Sequence, residues 1–70
     1  MIPLTMADIG SENIVRKIGG NEEVKRHLEN LGFTVGGTVT VVNALAGSVI
    51  VNVKESRVAI GKDMAMKILV

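Results

Sequence analysis

The 70-residue sequence contains no cysteine, tryptophan or tyrosine, and only one phenylalanine, one proline and one histidine. Without cysteine there is no disulfide, no thiolate metal site and no thiol nucleophile. The single aromatic residue, Phe33, leaves no material for a groove that grips proline-rich peptides or for platforms that stack single-stranded bases. Excess charge is missing as well. Eight Lys and Arg against seven Asp and Glu leave a net +1, far from the surplus that grips phosphate backbones. No uninterrupted apolar run approaches the roughly 18 residues that span a bilayer, and Met1-Ile2-Pro3-Leu4-Thr5 lacks a basic region followed by an apolar stretch. We therefore expect no nucleic-acid partner and no direct membrane insertion; a role at a membrane comes through a partner, and a reducing cytoplasm is the default location.

A chain of this length is one domain, residues 1–70, near the lower limit for independent folding, and most of its apolar side chains are needed in the core. Ile14, Val15 and Ile18 favour a short strand over Asn13 to Ile18, ended by Gly19-Gly20. From Asn21 the period changes. Asn21 is a good N-cap, Glu22 and Glu23 set negative charge in the first turn, and Val24, Leu28 and Leu31 fall on one face. The helix runs from about Asn21 to Leu31, where Gly32 closes a Schellman motif and Phe33 reaches back onto Leu28. Thr38 to Val42 and Val49 to Val53 are rich in β-branched residues and form a hairpin with Asn43 to Ser48 as its loop. Arg57 to Ile60 follows a tight Lys54-Glu55-Ser56 turn, Gly61 to Ala65 suits a single helical turn, and Met66 to Val70 is the last strand. The expected fold is mainly β: a small five-stranded barrel, which removes sheet edges, with one inserted helix.

The residues that carry chemistry elsewhere have plainer readings here. His27 lies one turn after Glu23, but two ligands are too few for a closed metal site, and a surface histidine is the better reading. Gly19-Gly20-Asn21 sits where phosphate cradles occur, yet Glu22 and Glu23 would repel an anion and no P-loop pattern follows. No serine or threonine has a visible base, so we expect no enzyme, no catalytic residue, no cofactor and no metal ligand.

The order Ile14-Val15 … Ile18-Gly19-Gly20, then Lys25-Arg26-His27-Leu28-Glu29-Asn30-Leu31-Gly32-Phe33 … Gly36-Gly37-Thr38-Val39-Thr40-Val41-Val42, resembles the FeoA family along nearly the whole chain. So does the ending, Arg57-Val58-Ala59-Ile60 … Ala65-Met66-Lys67-Ile68-Leu69-Val70. The resemblance implies an SH3-like barrel acting in the cytoplasm on FeoB, the membrane protein that carries a G-protein domain and moves ferrous iron. Two departures fall at Val35, where the family commonly has proline, and in the proline-free hairpin loop. Similar barrels form the C-terminal domain of iron-dependent repressors, which makes a stand-alone regulatory barrel the alternative.

A docking surface is sought among apolar residues that the core does not use. With Val49, Val51 and Val53 facing inward, Ile50 faces outward, and Leu45 lies on the hairpin loop beside it. Arg16, Lys17, Lys25 and Arg26 are a cationic cluster for an acidic surface, of which Arg26 is kept as a candidate. The expected partner-binding residues are Leu45, Ile50 and Arg26.

Overall fold

The structure, a computed structural model, describes residues 1–70. Six strands and two α-helices follow in the order β1 (Glu12–Ile14), β2 (Lys17–Ile18), α1 (Glu22–Asn30), β3 (Thr38–Leu45), β4 (Ser48–Val53), β5 (Ser56–Gly61), α2 (Lys62–Ala65) and β6 (Ile68–Leu69). All pairings are antiparallel: one sheet has the order β1-β3-β4-β5, and the other joins β2 to β6. The six strands replace the expected five because the stretch from Asn13 to Ile18 serves both sheets. At Val15 and Arg16 the chain leaves β3 for β6, and its backbone stays bonded through the crossing. Val15 exchanges hydrogen bonds with the Gly36-Gly37 turn at 2.8 Å each way, and the Arg16 N–H donates to Leu69 at 2.7 Å. The Val15 N–H and C=O and the Arg16 N–H are thus paired through the switch, which limits its cost.

Helix α1 forms as its sequence dictates. The Asn21 side chain accepts from the Val24 N–H at 2.9 Å, satisfying one of the orphan donors of the first turn. At the other end the Phe33 N–H donates to Leu28 (3.0 Å) and the Gly32 N–H to Glu29 (2.9 Å), the paired bonds of a Schellman motif. Leu28 and Phe33 are both fully buried in the core.

That core is a single cluster of 13 apolar residues with no polar side chain in it, drawn from both sheets, both helices and the 3-10 turn at Leu4–Met6. Val39, Val41, Val49, Val51 and Val53 supply its sheet wall, as the alternation requires. The ends of the chain are tied together: Ile2 and Val70 exchange hydrogen bonds at 2.9 and 2.8 Å, which lays the first residues beside β6.

The central hairpin is longer than the sequence suggests. Leu45 pairs with Ser48, so the expected loop from Asn43 to Ser48 shrinks to a two-residue turn, Ala46-Gly47, and Leu45 belongs to strand β3. A register shift between Val41 and Asn43 leaves Val42 as an extra residue, a β-bulge.

Candidate docking surface

The bulge decides which side of the sheet Leu45 occupies. Val39 and Val41 point into the core, and unbroken alternation would send Asn43 and Leu45 the same way. The extra residue at Val42 reverses the parity. Asn43 then sits opposite Ile50 and Leu45 opposite Ser48, on the outer face, while Ala44 takes the inner register opposite Val49. Leu45 is 55% exposed and Ile50 is half-buried. The two are diagonal neighbours on one face, roughly 7–8 Å apart by strand geometry and within reach of long side chains. Ala59 extends the row, because it pairs with Ile50 across β4 and β5 and is exposed. A second outer row, Glu12, Thr40, Asn52 and Arg57, is polar throughout. The contiguous apolar residues of this face therefore lie in the half near the Ala46-Gly47 turn, with Ile14 exposed separately at the far end opposite Thr38.

Arg26 lies elsewhere. It is exposed on α1 and lines a groove with Glu23, His27, Asn30 and Met64, a groove to which neither β3 nor β4 contributes a residue. The cationic cluster read from the sequence is divided by the fold. Arg16, Lys17 and Lys25 meet in a different open groove beside Glu29 and Thr34, and Arg26 is not part of it. Glu23 and His27 stay one turn apart on the exposed helix, and nowhere do three residues of the types His, Cys, Asp or Glu converge.

Gly20 has a structural task. Its φ of +93° is one that L side chains rarely adopt, and a Cβ there would come within 3.0 Å of Val24 and 3.2 Å of the Lys67 side chain. The glycine lets the β2–α1 turn lie against the helix it precedes. No space for a phosphate is implied.

An SH3-like β domain with an inserted helix and an exposed apolar strand face is the class these features define. A solved structure described as an iron uptake regulatory protein (FeoA) superposes with a TM-score of 0.88 at 33% identity, covering 96% of this chain and 89% of that one. The FeoA domain model matches residues 2–70, and the chain belongs to this family. It is 39% identical, over 100% of its length and 85% of the relative's, to "Putative Fe(2+) transport protein A" of Methanocaldococcus jannaschii. A manganese-dependent transcriptional repressor shares the fold, with a TM-score of 0.86 at 20% identity over 94% of this chain and 38% of the repressor. At that identity the likeness concerns architecture alone.

Proposed function

We propose that the protein is a cytoplasmic accessory module of ferrous iron uptake that docks on a FeoB-like membrane transporter carrying a G-protein domain and modulates its activity, without catalysing a reaction itself. The observation that carries this reading is family membership across residues 2–70, alongside a relative named for Fe(2+) transport. No helix is long and apolar enough to cross a membrane, so docking on a membrane-borne partner is the role consistent with the helices present. The outer face at Leu45 and Ile50 is the candidate contact, because exposed apolar groups gathered on one rigid strand pair are suited to protein association.

The test is binding to the isolated G-protein domain of a FeoB-like transporter, immobilised and titrated with wild type and with the Leu45→Ser, Ile50→Thr double variant. The variant should keep the fold and bind more weakly by about 1–3 kcal/mol, roughly fivefold to 150-fold in Kd. A folded variant that binds normally would move the contact to α1 around Arg26. Failure of the wild type to bind would refute docking on this domain altogether.

A further inference from the structure

Three successive segments of the chain meet at the groove that holds Arg16, Lys17 and Lys25. The Gly19-Gly20 turn folds β2 back against α1, with Gly20 close to Val24, and the cap at Gly32 returns the chain past the helix to Thr34 and Val35. Arg16, Lys17 and Ile18 form one wall, Lys25 and Glu29 on α1 form another, and Thr34 with Val35 forms the third, around a volume of about 490 Å³. Arg16, Lys17 and Glu29 are exposed, and Lys25 is half-buried.

Positive charge is concentrated there. Three cations against one carboxylate give the groove a balance of +2, whereas the whole chain carries +1, so the rest of the surface is slightly acidic. At the β2–α1 end Glu22 precedes Lys25 by three residues, and Lys67 lies over Gly20, its Cδ 3.2 Å from where a Cβ would stand. These two offset one another. Glu29 follows Lys25 by four residues, the less stabilising order for such a helical pair.

The shape selects among anions. A flat lipid surface or a duplex meets protruding cations, and the half-buried Lys25 is withdrawn from both; a basic patch that holds a membrane also uses about four to eight cations. Single-stranded nucleic acid needs aromatic platforms, and the one aromatic residue, Phe33, is fully buried. A compact phosphate would leave Val35 unused, although Val35 is 65% exposed at the groove. A single polypeptide strand meets each condition: it is narrow enough to enter, and it can bring several carboxylates together with an apolar side chain.

We propose that this groove binds an acidic polypeptide segment of a protein partner, whose carboxylates pair with Arg16, Lys17 and Lys25 while an apolar side chain packs on Val35. The groove is separate from the strand face at Leu45 and Ile50, and the proposal does not depend on transporter docking. Because charge and one apolar contact make up the recognition, a generic probe suffices. The probe is the acetylated and amidated pentapeptide Glu-Glu-Leu-Glu-Glu, titrated into the ¹⁵N-labelled intact chain by NMR, with Gln in place of Glu as its neutral counterpart.

The acidic peptide should bind at low salt with a Kd of about 1 mM or tighter, shift the amide signals of residues 16–18, 25, 29, 34 and 35, and bind more weakly as salt is raised. The neutral peptide should not bind. Lys25→Glu should weaken binding about tenfold or more, and Glu29→Gln, which removes the only carboxylate lining the groove, should strengthen it. Lys62→Glu makes the same change in net charge on α2, outside the groove, and should weaken binding less than about twofold. Lys17→Glu, at an exposed strand position, repeats the test should Lys25→Glu fold poorly. Absence of peptide binding, equal binding of the neutral peptide, equal losses for the groove and α2 variants, or tighter binding of inorganic phosphate or phosphatidylserine vesicles than of the peptide would each overturn the proposal.

Discussion

Gly32 offers the sharpest test of how the helix is joined to the sheet. Its φ is +109°, and it donates one of the two bonds that close α1. Replacing it by alanine introduces a Cβ whose nearest neighbours are the two methyls of Val53 at 3.6 Å, ordinary van der Waals contact. Gly32→Ala therefore isolates the backbone penalty, about 1–2 kcal/mol for holding an L-residue at positive φ. Gly32→Val adds a second effect. Its γ-methyls extend from that Cβ toward Val53, which is 3% exposed and packed in the core, so overpacking costs about another 1–3 kcal/mol.

The two effects sum to roughly 2–5 kcal/mol for valine, a large share of the stability of a domain this small. In a chain of this length 1 kcal/mol moves Tm by about 4–8 °C. Alanine should then lower Tm by roughly 4–16 °C and valine clearly further. With no tryptophan or tyrosine in the sequence, far-UV circular dichroism during thermal and urea unfolding is the suitable readout. An unchanged midpoint for Gly32→Ala would refute the strain argument. Equal losses for alanine and valine would refute the contact with Val53 while leaving the cap intact.

The β4–β5 turn should be improvable: Lys54 and Glu55 hold φ of +48° and +64° without being glycine. Lys54→Asn with Glu55→Gly, the residues such a two-residue turn prefers, should raise stability by about 1 kcal/mol in urea unfolding. Val51→Ala removes two methyls from a fully buried wall position and should cost about 2–3 kcal/mol by the same assay, whereas Ser48→Ala on the outer register should stay within about 0.5 kcal/mol. Ferrous or zinc ions should bind only weakly, with Glu23 and His27 too few to close a site. Stoichiometric micromolar binding by calorimetry, lost in His27→Ala, would reverse that expectation.

Local signals carried much of the fold because each has one dominant cause. Asn21 caps α1, Gly32 ends it, and Val49, Val51 and Val53 face inward, since these depend on residues within a turn or a strand of one another. What the sequence concealed depends on partners distant along the chain. Nothing between Asn13 and Ile18 reveals that Ile14 pairs with Thr38 while Lys17 pairs with Leu69, because a β-branched run reads the same whether it serves one sheet or two.

The candidate surface shows the same division more acutely. Ile50 was legible as an outward residue from the alternation of its own strand. Leu45 reached the outer face for a reason the sequence hid: as part of an extended strand it would have joined Val39 and Val41 on the inner side, and only the bulge at Val42 turns it out. The bulge has no compositional mark in Val41-Val42-Asn43, so reading Leu45 as a loop residue placed it near Ile50 by the wrong route. It follows that, with Val42 in the chain, the outward place of Leu45 depends on the bulge that absorbs this residue. Deleting Val42 should remove the extra residue and leave Val41, Asn43, Ala44 and Leu45 in simple alternation with their present partners Val51, Ile50, Val49 and Ser48, so that Leu45 stays on the outer face and binding through that face survives. A deletion variant that folds but no longer binds the transporter's G-protein domain, while wild type does, would mean that the bulge shapes the contact itself and does more than set the side of the sheet on which Leu45 lies.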